Sequence, residues 1–357
     1  MRVWQVAAGD PGRDYSKLFL DHDVMLLGPG APGDIRDAAS TYDGWSAAKV
    51  GAIRDFCHKV EPGDYVIMRV GRRVVGLGVV PEADYCWDDR FDDIHGWDLQ
   101  HMRRVCWAEG VADRLEGLQR QAGFFSGRRS MFSRFRQPKM IEKLRPLLEQ
   151  CQVRPLKPLP DAIGPALEDD EAGQLLFSHG LPQGSVDALL TSIGRQRRLL
   201  RWYKQHGQEA GRPTEHEVVA YMVLPMLLAL GWSEQLLAVE WKSIDLAAFD
   251  RTPTTASACA MVCEAKGMQA GLQGRAYAQA RQYVKTRKLT GCRHILLTQG
   301  ERFYLYERDD EGVWQPEPRG YLNLTKLRAN CILPRNTNAI DTLMALTPQG
   351  VFGGNGR

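Results

Sequence analysis

The sequence predicts an α/β (α+β) protein of two domains: a small twisted β-barrel with flanking helices over 1–150, then a mixed-sheet core over 181–335. Three observations predict it. In 181–335, apolar-periodic segments and short apolar runs follow the order helix, meander, helix, strand, as in a mixed sheet covered on both sides. In 1–150 the apolar runs are short and closed by turns, as in a small barrel. Between them, 151–180 carries prolines at 155, 158, 160 and 165 and then Glu168-Asp-Asp-Glu171. Proline removes donors and fixes the backbone, so this stretch reads as an extended linker.

The elements follow in order. Strands are expected at Val3–Ala8, Val24–Leu27, Asp64–Val70 and Arg73–Val80, with Gly71 turning the chain between the last two. A helix is expected over Ser46–His58 and others beyond Ala108. After the linker, Val186, Leu189, Leu190, Ile193, Leu199 and Leu200 give Ser185–His206 a helical spacing. A second helix runs from Thr214 to Leu230 and stops at Gly231. Strands at Leu236–Glu240, Ile244–Phe249 and Ala258–Lys266 precede a helix over Leu272–Lys285, and strands at His294–Thr298 and Phe303–Glu307 complete the set. Residues 336–357 read as a tail, loose after Val351.

Composition narrows the function classes. With 44% hydrophobic and 25% charged residues, the chain is not of the disordered class. No apolar run approaches the roughly 18–20 residues that span a bilayer, and Met1-Arg-Val-Trp-Gln-Val6 is too short and mixed for a signal peptide. A cytoplasmic location without membrane contact is expected. The eight cysteines are scattered singly with no Cys-x-x-Cys pair, which reads as reduced thiols rather than a zinc site or a disulfide framework. The net charge of +3 decides little, but its distribution is uneven. Seven basic residues lie between Arg128 and Arg145 against the single acid Glu142, with Phe124, Phe125, Phe132 and Phe135 in or just before the stretch. A second patch, Arg195 to Lys204, has five basic groups and no acid. Arg128, Arg129, Arg134, Arg136, Arg195, Arg197 and Arg198 are therefore candidates for nucleic-acid backbone contact beside stacking rings. A solvated helix face describes either patch equally well.

Hydrolysing a phosphodiester at neutral pH calls for a hard cation held by carboxylates and a basic group beside the attacking water. Asp245 lies in the run Ser243-Ile-Asp-Leu-Ala-Ala-Phe249, and nineteen residues later Glu264-Ala-Lys266 ends an apolar strand. Strand alternation puts Glu264 and Lys266 on one face, and a neighbouring Asp245 would meet Glu264 at one metal. Alone, Glu264 and Lys266 are also what a strand-edge ion pair looks like. On the Thr214–Leu230 helix, Glu215 falls about 40° from Val219, on the apolar face, while Glu217 falls about 160° away toward solvent. An acid facing a core needs a cation or a donor, so Glu215 is a candidate third carboxylate. Both glutamates also suit the first turn of a helix as dipole partners. Gln279 and Tyr283, four residues apart, share one face of the next helix, from which they would support the lysine or touch the substrate backbone.

Thr214-Glu-His-Glu-Val-Val, Leu224-Pro-Met-Leu-Leu-Ala-Leu-Gly-Trp232, Val239-Glu240, Ile244-Asp-Leu246, Glu264-Ala-Lys266, Gln279-x-x-x-Tyr283 and Leu296-Leu-Thr-Gln-Gly300 occur in that order. This set resembles the N-terminal nuclease domain of type I restriction motor subunits, of the PD-(D/E)XK class, over about 214–308. The resemblance implies a restriction-endonuclease-like fold, Asp245, Glu264 and Lys266 as the catalytic motif, Gln279 and Tyr283 as the accessory one, and Mg2+ (or Mn2+ in its place) as cofactor. The chain departs from those subunits in having no Gly-x-x-x-x-Gly-Lys-Ser/Thr loop, so ATP-driven translocation is not expected of it.

In 1–150, Trp4-Gln-Val-Ala-Ala-Gly9, Glu61-Pro-Gly-Asp-Tyr-Val-Ile67, Gly76-Leu-Gly-Val-Val80, Asp84-Tyr85 and Arg103-Arg-Val-Cys-Trp107 are similar to an EVE domain of the PUA-like superfamily. That resemblance implies a pocket for a modified base flipped from the duplex and recovered by stacking and edge hydrogen bonds. Trp45, Tyr85, Trp87, Trp97 and Trp107 are available as walls and Asp84 or Asp98 for an edge contact, though each ring also suits a core. Joined, the halves predict a modification-dependent, type IV-like endonuclease acting on double-stranded DNA in defence against phage. Cutting two strands needs two centres, hence a homodimer. A binding or sensor protein that cuts only with a partner, and an RNA-directed nuclease, remain open from the sequence.

Overall fold

Short strands, the longest of them valine-rich, are joined by turns in the first of two units, residues 1–162. The computed structural model describes residues 2–10, 13–81, 84–122, 130–207, 211–268, 272, 274–333 and 337–353. The strands of this unit are β1 (Val3–Ala7), β2 (Gly9–Asp10), β3 (Arg13–Asp14), β4 (Val24–Leu27), β5 (Tyr65–Val70), β6 (Arg73–Val79), β7 (Cys86–Trp87), β8 (His101–Arg104), β9 (Cys106–Trp107) and β10 (Phe132–Arg134). They pair as a five-stranded sheet β10-β1-β5-β6-β9, a three-stranded sheet β4-β8-β7 and the hairpin β2-β3. No barrel closes among the described strands. The five-stranded sheet ends in the short edges β10 and β9, so the turn-rich sequence gives open sheets instead. Helices α1 (Ser16–His22), α2 (Ala47–His58), α3 (Ala112–Ala122) and α4 (Pro138–Leu148) belong to the same unit. The side chain of Ser46 caps α2 by accepting from Lys49 N.

The stretch expected to be a free linker is absorbed into both units. Asp23 is fully buried, and its carboxylate accepts from Arg154 Nη1 and Nη2 at 2.7 and 2.9 Å and from Lys157 N at 2.9 Å. A buried carboxylate left unpaired is costly, so these bonds strap the proline-rich segment to the first unit. The acidic run lies instead in the first turn of α5 (Asp169–Ser178), where Asp169, Asp170 and Glu171 complement the helix dipole.

In the second unit, residues 163–357, α5 is followed by α6 (Gln183–His206), α7 (Glu215–Val218) and α8 (Leu224–Ala229). One six-stranded sheet runs in the order β11 (Leu237–Trp241), β12 (Ile244–Phe249), β13 (Cys259–Ala265), β14 (His294–Thr298), β15 (Arg302–Glu307) and β16 (Gly320–Asn323). Only β13 and β14 pair in parallel, and α9 (Arg275–Thr286) connects them. Leu189, Ile193 and Val219 pack with Cys263, Leu296 and Phe303 on one face, and Ala280 and Val284 pack with Val262, Ile295 and Tyr304 on the other. The core is thus a mixed sheet covered on both sides.

Two expectations are corrected here. The single helix over 214–230 is broken by a π-helical turn, Val219–Val223. Pro225 lacks an N–H and its ring crowds the carbonyl four residues back, which a wider turn relieves. Residues 337–353, expected to belong to a tail, are built into the second unit. Ala339–Ala345 (α10) and Pro348–Phe352 (α11) are helices whose Ile340, Leu343, Leu346 and Val351 are buried in the core, and Trp232 Nε1 donates to Leu346 O at 2.8 Å. Residues 354–357 lie outside the described residues. No helix among the described residues is long and apolar enough to cross a membrane.

Candidate active site

The register of β12 against β13 pairs Leu246 with Cys263, so one step on, Asp245 and Glu264 stand opposite each other. Asp245 does not spread into solvent: its Oδ2 accepts from Ala265 N at 2.7 Å, which fixes the carboxylate against the end of β13. Lys266 leaves the strand there, its own N–H held by Thr298 O at 2.8 Å. Its Nζ reaches Glu264 Oε1 at 2.5 Å and Glu215 Oε1 at 3.2 Å. Four side chains foreseen from the sequence, Asp245, Glu264, Lys266 and Glu215, therefore form one cluster drawn from β12, β13 and α7.

Three carboxylates surround one ammonium, and burial sharpens the imbalance. Glu264 is 2% exposed. Burial pushes its carboxyl up to about 7, helped by the nearby negative charge of Asp245, even though Lys266 donates to it. Burial also raises Asp245, against the Ala265 N–H that favours its charged form. For Lys266, burial acts to lower the ammonium, but the hydrogen bond to Glu264 and the surrounding carboxylates outweigh it and leave the group above its ordinary value. The site is short of positive charge.

Glu215 reaches the cluster from a different side than expected, and Glu217 has a role of its own. Glu215 is exposed and touches Lys266 from outside instead of facing the apolar core. Glu217 does not stand free: its Oε2 accepts from Thr214 N at 2.8 Å, while Thr214 Oγ1 accepts from Glu217 N at 3.2 Å. This reciprocal capping box starts α7, and it was legible in Thr-x-x-Glu. Gln279 and Tyr283 do share a face of α9, with Gln279 Nε2 donating to Tyr283 Oη at 2.9 Å. They bond to each other, and no described hydrogen bond joins them to the carboxylates.

Among the described residues, no three His, Cys, Asp or Glu side chains converge to hold a metal ion by themselves. Asp245 and Glu264 nevertheless have the donor chemistry of a magnesium site, since that ion commonly takes one or two carboxylates and completes its shell with water and substrate oxygens. Two carboxylates raised by burial and by neighbouring negative charge are what such a cation would relieve.

The rings proposed as a base cage in the first unit stand in different surroundings. Trp107 is 2% exposed, with Nε1 donating to Val24 O at 3.1 Å, and is a core residue. Trp45 and Trp97 are about two-fifths exposed and lie under Lys49 and Arg13 respectively. Trp87 Nε1 donates to Gly30 O at 3.0 Å, Asp98 offers its carbonyl to Gly30 N at 2.9 Å, and Asp84 is exposed. Among the described residues, none of the five rings stacks on another. Tyr85 instead belongs to a cluster that sequence reasoning missed. Its Oη lies 2.6 Å from His101 Nδ1 and 3.2 Å from Asp34 Oδ1, Tyr42 Oη lies 3.0 Å from His101 Nε2, and Arg36 pairs with Asp34 beneath the Tyr85 ring. Burial lowers His101 to about 4, so its imidazole is neutral. No local sequence signal singled out His101, which lies among Gln100, Arg103 and Arg104.

Of the predicted backbone arginines, Arg128 and Arg129 lie outside the described residues. Arg134, Arg136, Arg195 and Arg198 are exposed. Arg197 is not free for phosphate: its Nε donates to Leu324 O at 2.5 Å and its Nη1 pairs with Asp169 at 2.6 Å. Arg134 and Arg136 open onto a cleft of about 520 Å³ lined also by Val3, Ile141 and Arg145.

No family model matches the chain, and no curated protein matches it. Among solved structures, Protein Atu2648 from Agrobacterium tumefaciens is similar over 45% of this chain and 100% of its own, at 17% sequence identity and a TM-score of 0.20. A likeness that slight carries no inference about fold or function.

Proposed function

We propose that the chain is a magnesium-dependent endonuclease of the PD-(D/E)XK type, with a restriction-endonuclease-like second unit and an EVE/PUA-like first unit that reads a modified base in double-stranded DNA. The observation that carries the reading is the meeting of Asp245, Glu264 and Lys266 at one end of β13, with more negative than positive charge and Glu264 raised to about 7. Asp245 and Glu264 would hold the cation. When bound, Mg2+ supplies charge neutralisation at the phosphate and a more acidic water. Lys266, protonated throughout the neutral range, would hold the attacking water and balance charge building on the phosphate oxygens. Ala265 N–H keeps the Asp245 carboxylate turned toward the site. Glu215 would restrain Lys266 from the solvent side. In the first unit, the half-exposed rings of Trp45 and Trp97, each with a cation over one face, would offer their remaining surface to a base. Cutting both strands would take two centres, hence a homodimer, and the role would be restriction of modified foreign DNA.

Plasmids that differ only in cytosine or adenine modification, incubated with the purified chain in Mg2+ or chelator, test this. Metal-dependent cutting of a modified plasmid is expected. Asp245→Ala and Lys266→Ala should each lower the rate at least about a hundredfold, the usual scale for removing a charge-stabilising group, while DNA binding persists. Undiminished cutting by Lys266→Ala removes the mechanism, and binding without cutting of any substrate leaves a sensor protein.

A further inference from the structure

α6 is a 24-residue helix with two unlike faces. Its inner face is tied down at three points. Gln196 Nε2 donates to Met222 O at 2.9 Å, Arg197 holds Leu324 O and Asp169, and Lys204 Nζ pairs with Glu301 at 2.7 Å. Those bonds occupy Arg197 and Lys204. Arg195, Arg198, Trp202 and His206 recur at intervals of three and four residues, so they stand in one row on the opposite face, and all are exposed.

Arg195 and Arg198 make no hydrogen bond or ion pair among the described residues. Trp202 is 45% exposed, its ring 5.2 Å from that of Tyr203 and 5.6 Å from that of His206. Through Gln196 and Met222, α6 lies against the π-helical turn that continues directly from the helix whose Glu215 contacts Lys266.

A row of free cations without an acid between them fits a polyanion. An indole held open in the same row fits a polyanion with flat faces. We propose that the outer row of α6 is a track for a nucleic-acid strand, with Arg195 and Arg198 on phosphates and Trp202 stacked on an unpaired base. At about 1.5 Å per residue the row is about 16 Å long, enough for a few consecutive phosphates of one strand. This deepens the nuclease reading and rests on it in one respect, that the strand is the substrate; it adds that the DNA is locally opened near the cut.

The test uses the full chain in chelator, so that binding is read without cleavage, with a fluorescein-labelled oligodeoxynucleotide and a second one carrying 2-aminopurine. Trp202→Ala is expected to weaken single-strand binding about tenfold, within the range of one lost base stack. Trp202→Phe should restore most of it, and the quenching of 2-aminopurine should disappear in the alanine variant only. Arg195→Ala and Arg198→Ala should each reduce the slope of log affinity against log salt by about 0.7. Unchanged affinity and quenching in Trp202→Ala, or unchanged salt slopes in both arginine variants, overturns the track. A chain that binds as expected yet cuts no DNA in Mg2+ sinks the nuclease reading and leaves the track standing. One that cuts while these variants bind normally sinks the track alone.

Discussion

Glu264 is the residue where chemistry and stability oppose each other. Its carboxyl is raised from 4.5 to about 7 in the folded chain, chiefly by burial. The folded state therefore holds a proton that the unfolded state has released between those values, and stability falls as pH rises through that window. A displacement of this size is worth about 3 kcal/mol once the group is ionised. Asp245, also raised by burial, works in the same direction. Glu264→Gln keeps an acceptor for Lys266 and removes the titration. The variant is expected to melt close to the wild type near pH 5 and above it near pH 8. Mg2+ should then raise the wild-type melting temperature at pH 8 by mass action and leave the variant unmoved. Thermal melts across pH, with and without the metal, check both, and a pH-independent difference between the proteins would show that Glu264 does not carry the excess charge. His101 is buried and kept neutral by burial alone, and no comparable linkage to metal is expected of it.

At the scale of elements, the hairpin from β11 to β12 delivers Asp245 to the site and does so under strain. Glu240, Lys242 and Ser243 have φ of 54°, 51° and 64°, in the left-handed region that favours glycine. Two-residue hairpins of this twist ordinarily use Asn-Gly. Ser243 is exposed and its side chain makes no described hydrogen bond, so Ser243→Gly should stabilise the protein by about 1 kcal/mol, readable as a shift of the urea midpoint at constant slope. A loss of stability would mean that the serine side chain holds the turn. The positive φ at Lys242 and Ser243 was hidden because neither residue type announces it. The strands flanking this turn were visible, β11 because Leu237, Val239 and Trp241 repeat with period two and β12 because Leu246–Phe249 is an apolar run. The interruption of the Thr214–Leu230 helix was signalled by Pro225 but masked by an unbroken apolar stripe on both sides of it. In α7 the helical wheel misplaced Glu215 and Glu217, because capping geometry governs the first turn of a helix more than the phase of its apolar face.

Across the whole chain, local pattern located five of the six strands of the second unit's sheet, all but β16, and the four side chains of its cluster, while long-range burial stayed out of reach. Nothing in Cys151–Pro160 foretells that Arg154 satisfies a buried Asp23 more than a hundred residues earlier. Nor does the glycine-rich end after Val351 foretell that the helices before it seal a core. The boundaries that the sequence suggests for the second unit, 181–335, exclude α5, α10 and α11. Those helices bury Leu176, Ile340, Leu343, Leu346 and Val351 in the same core as Cys263 and Leu296, and Leu346 O also holds the indole of Trp232. At about 1.5–3 kcal/mol for each buried aliphatic side chain, losing five of them removes about as much as the 5–15 kcal/mol by which a domain is stable. A fragment over 163–357 is therefore expected to unfold in one cooperative transition and to gain stability from Mg2+ as the full chain does. A fragment over 181–335 is expected to show no cooperative transition. Circular dichroism melts of the two fragments decide it: cooperative unfolding of the shorter one would mean that α5, α10 and α11 cover a sheet that is already sufficient.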